Sequence, residues 1–242
     1  AGVPKPMPIA MQGAGTPGTT ADGNAATILV CGFLGCDLRP FNPLVASLPR
    51  MLHLAARPGS DWIAPVMHQA VRESRDQRPG SEAVLERLSE MMFVDAIRRH
   101  LDALPAGSTG WLAGLCDRVV GKALTLLHER PGDPWSVERL SDRVGLSRSA
   151  LHDRFVHFVG QAPMQYLGRW RMQVAARELT ESHAPVASIA LDLGYDSEAA
   201  FSRAFRRVVG MPPGEWRRRH RAMAGAAAAP AGRRPQAVAG DV

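Results

Sequence analysis

The segment GYDSEAAFSRAFRRVVGMPP, residues 194–213, combines an apolar helix face with a cluster of cations. Its apolar residues recur at the 3–4-residue spacing of a buried helical stripe: Phe201, Phe205 and Val209. Three arginines fall between them: Arg203, Arg206 and Arg207. Gly194 precedes the pattern, Gly210 follows it, and two prolines come next, which are signals that bound a helix. The segment therefore predicts a short helix with one buried face and one cationic face.

The same pattern occurs once before, because residues 137–167 correspond to residues 186–216. At an offset of 49 the matching residues are Val137 with Val186, Leu140 with Ile189, and Gly145 with Gly194. At an offset of 50 they are Ser147 with Ser197, Phe155 with Phe205, Gly160 with Gly210, Pro163 with Pro213, and Tyr166 with Trp216. Each copy predicts a first helix (137–144; 186–193), a glycine turn, and a second helix capped by serine (147–159; 197–209). This arrangement is a helix-turn-helix unit, whose second helix enters a major groove of DNA.

The charge distribution agrees with an anionic partner. The chain of 242 residues has a formal net charge of +6 and a pI of about 10.0. Between Arg203 and Arg221 there are seven arginines and a single acidic residue, Glu215. The last four of those arginines leave two alternatives open, which are contact with phosphates and a basic helix end favoured by the helix dipole.

The cysteines and histidines do not predict a metal site or a cofactor. Three cysteines are too few for a disulfide framework and fit a reducing cytosol. Cys31 and Cys36 form either a pair of buried thiols or a redox pair, and Cys116 is expected in the core. The histidines show no HxH or HExxH pattern. Since no apolar run approaches the roughly 18 residues of a membrane span, we expect a cytoplasmic protein without membrane contact.

Changes in composition along the chain predict five segments. We expect a disordered segment at 1–27, a sensor region at 28–104, a linker at 105–110, a DNA-binding domain at 111–221 and a disordered tail at 222–242. Residues 26–35 predict a β-like run, and residues 111–130 predict one helix. The helix 81–104 carries an apolar stripe interpreted as core, with a homodimer interface as the alternative: Val84, Leu88, Met91, Val94, Ile97, Leu101 and Leu104.

Residues 111–221 resemble the DNA-binding domain of the AraC/XylS family of transcription regulators. The resemblance rests on the two-copy pattern and on one set of matching residues: Arg171, Val186, Ile189, Gly194, Tyr195, Phe201, Phe205, Gly210, Pro212 and Pro213. It implies that a long helix near 163–180 joins the two units and that helices 147–159 and 197–209 are the recognition helices. It also implies base contacts from Ser149, His152, Asp153, Glu198, Ala199, Ser202 and Arg203. We expect phosphate contacts from Arg148, Arg154, Ser197, Arg206, Arg207, Arg217 and Arg218.

The N-terminal part is similar to the cupin-type sensor half of these regulators, of which this chain holds one or two barrel strands. The predicted fold class is therefore mainly α, a double helix-turn-helix domain preceded by a helical segment and a remnant of a cupin-type β-barrel. The resemblance implies a sequence-specific regulator that is not an enzyme, with promoter DNA and RNA polymerase as partners and an unknown small-molecule effector. The alternatives are a DNA-binding domain fused to a thiol- or cupin-based enzyme or redox sensor, and an architectural protein without sequence preference.

Overall fold

The chain is described here by a computed structural model that covers residues 40–53, 62–76 and 78–227, with side chains up to 221. Over these ranges the secondary structure consists of eleven α-helices, and no strand is assigned. The mainly helical class is thus confirmed. Residues 26–35, the β-like run with Cys31, and the neighbouring Cys36 lie outside the described residues, so the barrel remnant stays a prediction.

The chain forms two compact units. Of the described residues, the first unit contains 43–118 and 157–160, and the second contains 40–42, 119–156 and 161–227. These units do not test the domain limits expected from composition, which stay a prediction.

The first unit is built from four helices: α1 (Pro43–Ser47), α2 (Ile63–Asp76), α3 (Ser81–Asp102) and α4 (Trp111–Cys116). Helix α2 packs along α3, and α4 contacts α1 and α3. The carboxylate of Glu73, 9% exposed, accepts hydrogen bonds from Gln69 Nε2 at 2.8 Å and Ser81 Oγ at 2.9 Å. Because the end of α2 is thereby bonded to the start of α3, the α2–α3 hairpin is closed by a satisfied buried carboxylate.

The interpretation of the apolar stripe on α3 as core is wrong for three of its residues. Val84, Met91 and Val94 are 39%, 52% and 46% exposed. The buried positions of α3 are instead Ser81, Leu85 and Ser89, which follow one another at a spacing of four. Val84, Met91 and Val94 therefore lie on a face of α3 that α2 leaves exposed, although α2 runs alongside this part of the helix, where Trp62 Nε1 donates to Asp95 Oδ1 at 3.0 Å. Cys116 is also exposed, contrary to expectation.

The helix expected over 111–130 is two helices, α4 and α5 (Arg118–Glu129). Asp117 between them has an extended backbone, with φ −73° and ψ 126°, and its N–H donates to the carbonyl of Ala113 at 3.2 Å. No glycine or proline stands at 116–118 to indicate this break.

The second unit contains the repeat, and each copy has the expected elements. The first copy comprises α6 (Val137–Val144) and α7 (Arg148–Val159), and the second comprises α9 (Val186–Asp192) and α10 (Glu198–Val209). The connector α8 (Pro163–Glu181) joins them, and α11 (Pro213–Ala227) follows α10. The predicted helix-turn-helix repeat is thus confirmed, with the serines 147 and 197 as caps rather than as first helical residues.

The turns of the two copies share a left-handed glycine and a serine cap. Gly145 and Gly194 have φ of +78° and +74°, a left-handed conformation that glycine adopts without steric cost. The hydroxyl oxygens of Ser147 and Ser197 each accept a hydrogen bond at 3.2 Å, from the backbone N–H of Ala150 and of Ala200. The side-chain cap satisfies one of the free N–H groups at the start of α7 and of α10.

The recognition helices are held by fully buried aromatic residues. Phe155 on α7 packs edge-on against Tyr166, with ring centroids 5.8 Å apart. Phe205 on α10 packs in the same way against Trp216 at 6.1 Å. Trp216 also donates from Nε1 to the carbonyl of Ala176 on α8 at 3.1 Å. Because an aromatic pair recurs at equivalent positions, Phe with Tyr in the first copy and Phe with Trp in the second, each second helix is packed firmly against its own core.

Candidate nucleic-acid interface

Helix α10 separates its apolar and cationic residues onto different faces. Phe201 and Phe205 are 0% exposed, and the partly buried Val209 packs against the same core. The three arginines of the helix are exposed: Arg203, Arg206 and Arg207. The apolar residues therefore attach the helix to the protein, and the guanidinium groups remain accessible.

Helix α7 has the same arrangement with a different exposed surface. Leu151 and Phe155 are fully buried, whereas His152 and Asp153 are exposed. His152 Nδ1 lies 3.3 Å from Asp153 Oδ1. Asp153 occupies the position that corresponds to Arg203 in α10, at the offset of 50. The two exposed surfaces thus differ in charge at equivalent positions.

The residues expected to contact bases lie on these exposed surfaces. Six of them are exposed and Ser202 is half-buried: Ser149, His152, Asp153, Glu198, Ala199, Ser202 and Arg203. Helix α7 carries two arginines and one aspartate, and α10 carries three arginines and one glutamate. The net formal charges are therefore +1 and +2, so α10 is the more strongly cationic of the two helices.

The residues expected to contact phosphates do not share one environment. Six of them are exposed: Arg148, Arg154, Ser197, Arg206, Arg207 and Arg218. Arg148 Nη1 forms an ion pair with Glu138 Oε1 at 2.6 Å, and both side chains are more than 60% exposed. Such an exposed pair contributes little to stability, so it can be exchanged for a phosphate at small cost.

Arg217 is held by the protein's own backbone. Its Nε donates to the carbonyl of Leu179 at 3.3 Å, and its Nη2 donates to the carbonyl of Ala184 at 2.5 Å. Arg221 bonds the carbonyls of Thr180 and Ser182 in the same region. Two arginines of α11 therefore bond carbonyls of the last turn of α8, where a helix has unpaired acceptors, and of the segment that follows it. Sequence reasoning missed this role because the acceptors lie some 40 residues away along the chain.

A cluster around His128 attaches α5 to α8. His128 stacks on Trp170 with ring centroids 4.0 Å apart, and its Nε2 lies 2.6 Å from the hydroxyl of Tyr166. Burial lowers the pKa of His128 to about 4, because the charged imidazolium would lose its hydration there. His128 is thus a neutral, structural residue at physiological pH.

Residues 40–42 also pack in the second unit. The ring of Phe41, 7% exposed, lies edge-on to Tyr166 at 5.5 Å, and the guanidinium carbon of Arg169 lies 4.2 Å from its centroid. The N–H of Phe41 donates to Gln173 Oε1 at 2.9 Å. A segment far from the repeat in sequence therefore covers the connector α8. No local pattern could have indicated this contact.

The described part of the chain contains no group of three or more His, Cys, Asp or Glu side chains placed to hold a metal ion. None of its helices combines the length and the apolar character needed to cross a membrane.

The second unit is a double helix-turn-helix domain. Its two copies are joined by one helix, and the second helix of each copy has an exposed polar surface. A family model for a helix-turn-helix domain matches residues 140–219, and a cupin family model matches residues 2–102. The chain is 31% identical to the RCS-specific HTH-type transcriptional activator RclR of Escherichia coli strain K12, over 83% of this chain and 71% of that protein. The chain belongs to the AraC family of transcription regulators.

Two further relatives, both putative AraC-like transcription regulators, agree with this assignment. A putative AraC-like transcription regulator of Streptomyces lividans is 41% identical over 78% of this chain. The chain spans 63% of the length of that relative and 58% of a second one from Streptomyces antibioticus. Among solved structures, the DNA-binding domain of AdpA in complex with a target DNA is 31% identical, covering 43% of this chain and 93% of that domain at a TM-score of 0.41.

Proposed function

We propose that this protein regulates transcription by binding promoter DNA sequence-specifically, with α7 and α10 in two successive major grooves. The observation that carries the proposal is the repeated separation of a buried aromatic face from an exposed polar face on α7 and α10. A DNA-binding helix needs this separation, because one face must be fixed to the domain while the other contacts base edges. Membership of the AraC family supports the same function.

Base contacts come from the exposed surfaces of the two helices. In α7 these are Ser149, His152 and Asp153, and in α10 they are Glu198, Ala199, Ser202 and Arg203. Arg203 can donate two hydrogen bonds to guanine O6 and N7, a contact that contributes roughly 1–3 kcal/mol of discrimination. A carboxylate at Asp153 can accept a hydrogen bond from a cytosine amino group.

Phosphate contacts come from the exposed cations and caps around these helices: Arg148, Arg154, Ser197, Arg206, Arg207 and Arg218. Arg217, which the sequence also indicated, is left out of this set because two of its nitrogens bond carbonyl oxygens of the protein. Each phosphate that an arginine neutralises should add about −0.9 to the slope of log K against log salt.

Two further partners are proposed, RNA polymerase and a second copy of this chain. RNA polymerase is the partner of a regulator at a promoter, and the cytoplasm is the compartment where both occur. A homodimer through the helix 81–104 is supported by the exposed apolar residues Val84, Met91 and Val94. The domain limits proposed are a sensor region at 28–104, a linker at 105–110 and a DNA-binding domain at 111–221.

A sensing role for the N-terminal region, rather than an enzymatic one, is the second part of the proposal. The match of residues 2–102 to a cupin family model supports a ligand- or redox-responsive region with a partial barrel. A thiol- or cupin-based enzyme would need an activated thiol or a set of metal ligands. Metal analysis of the purified chain and a methyl-transfer assay test this alternative, and a stoichiometric metal or a turnover would favour it.

Selection of binding sites from random DNA tests the proposed function. The unsubstituted chain should enrich a motif with two half-sites about one helical turn apart. Arg203→Ala should lose affinity and relax one guanine position in the half-site of α10. Asp153→Ala should keep or increase non-specific binding, since a negative charge is removed beside phosphates, while the other half-site becomes less defined.

The matched control is Arg177→Ala on the connector α8, since that arginine is distant from both recognition helices in sequence and pairs weakly with Glu178 at 3.9 Å. It should leave the motif unchanged. An unchanged motif and affinity for Arg203→Ala would show that the assigned base-contacting surface is wrong.

A further inference from the structure

We propose that Arg171, with Gly132 and Gly194, fixes the two helix-turn-helix copies relative to each other and thereby sets the half-site spacing that the protein accepts. The proposal deepens the proposed function and rests on it. Arg171 is a positioning residue here, since it acts on DNA recognition through the placement of α7 and α10.

Arg171 lies in the connector α8 and bonds the loop that precedes the first copy. Its Nε donates to the carbonyl of Pro131 at 2.7 Å, and its Nη2 donates to the carbonyl of Asp133 at 3.0 Å. Its guanidinium carbon lies 5.7 Å from the ring centroid of Tyr195, directly after the turn glycine of the second copy. One side chain thus contacts both the entry to the first copy and the turn of the second.

The backbones of these two segments touch at Gly132 and Gly194. A Cβ atom on Gly132 would collide with the carbonyl oxygen of Asp192, and one on Gly194 would collide with the carbonyl oxygen of Gly132. This close approach therefore requires glycine at both positions. The positive φ of Gly194 is a second reason for glycine there. The loop 131–133 rests directly on the turn 192–194.

The loop is itself bonded to the first copy. Trp135 donates from Nε1 to the carbonyl of Arg130 at 2.8 Å, which closes the loop. Arg139 on α6 lies with its guanidinium carbon 5.1 Å from the ring centroid of Trp135 and pairs with Asp133 at 3.5 Å. A displacement of the loop would therefore move α6, and with it the copy that carries α7.

The two copies are consequently joined twice, once by the continuous helix α8 and once by the contact of the loop with the turn. A single helix can bend and twist along its length, whereas two separate connections restrain both motions. Inserting one base pair between the half-sites moves one of them by about 3.4 Å and rotates it by about 34°. A rigid pair of recognition helices cannot follow this change, so it must lose one set of base contacts.

The experiment uses the full chain and the two-half-site motif that it selects. Affinity is measured on that motif, on motifs with one base pair inserted or removed between the half-sites, and on each half-site alone. The unsubstituted chain should lose at least about tenfold in affinity on either altered spacing, comparable to a mismatch in one half-site. In Arg171→Met and in Gly132→Ala this loss should fall below about threefold, while affinity for single half-sites stays unchanged.

Arg177→Met, in the same helix, is the matched control and should keep the full spacing penalty. Arg171→Lys retains one cationic donor group, so it should give an intermediate penalty, and it provides the measurement if the methionine variant does not fold. An unchanged spacing penalty in folded Arg171 variants would overturn the proposal. An equal loss on single half-sites and on the full motif would also overturn it, because Arg171 would then support one copy alone. Failure of the proposed function would show separately, as absence of any selected motif with the unsubstituted chain.

Discussion

Replacing His128 by glutamine is expected to remove a large part of the acid sensitivity of the second unit. Burial lowers the pKa of His128 to about 4 from its ordinary value of 6.5. Between these two values the unfolded chain binds a proton that the folded chain excludes. The free energy of unfolding is therefore not reduced by His128 above pH 6.5, and it falls as the pH is lowered toward 4.

The magnitude follows from the two pKa values. The difference between a pKa of about 4 and one of 6.5 corresponds to about 3 kcal/mol, lost in full only below pH 4. At pH 5 the unfolded histidine is almost fully protonated and the folded one is about one-tenth protonated, so about 2 kcal/mol is lost relative to pH 7. The stacking on Trp170 at 4.0 Å and the contact with Tyr166 hold the ring in place, so it cannot turn into water without breaking both.

Urea unfolding followed by circular dichroism at pH 7 and pH 5 measures this effect. His128→Gln should be less stable than the unsubstituted chain at pH 7, because the stacked ring is lost, but its further decrease at pH 5 should be smaller by about 2 kcal/mol. His183→Gln, at an exposed position after α8, is the control and should keep the original decrease. Equal decreases in the unsubstituted chain and in His128→Gln would refute the assignment of His128 as a buried neutral residue.

Three further outcomes are expected. Phe41→Ala should lower the free energy of unfolding of the second unit by about 3 kcal/mol in urea titrations, because a ring only 7% exposed is removed from Tyr166; a loss below about 1 kcal/mol would contradict its docking. Arg217→Gln should lower the melting temperature and leave the salt slope of DNA binding unchanged. Arg218→Gln should reduce that slope by about 0.9 and leave the melting temperature unchanged. If each variant instead showed the behaviour expected of the other, the roles assigned to the two arginines would be wrong. Mild treatment with peroxide should join Cys31 to Cys36, with reduction of peroxide to water and a loss of two hydrogens in the intact mass; an unchanged mass, or the same loss in Cys36→Ser, would exclude this pair.

The sequence by itself determined the helix-turn-helix repeat and most of its boundaries. The signals involved are local: a glycine with positive φ must follow α6, a serine hydroxyl must cap α7 and α10, and a proline must begin α8. Each depends on a few neighbouring residues, so each is visible in one sequence. The exposed and buried faces of α10 followed from its period for the same reason.

Only the tertiary structure decided which of two similar residues has a structural role and which is free to contact DNA. Arg217 and Arg218 are neighbours in one basic run, yet Arg217 bonds the carbonyls of Leu179 and Ala184 while Arg218 is exposed. The break at Asp117 and the solvent exposure of Met91 were likewise absent from the pattern. The acceptors of Arg217 lie more than 30 residues away in sequence, and no local signal marks the other two features. A periodic pattern records which residues could be buried, but only the folded chain determines which surface is covered and which acceptors an arginine can reach.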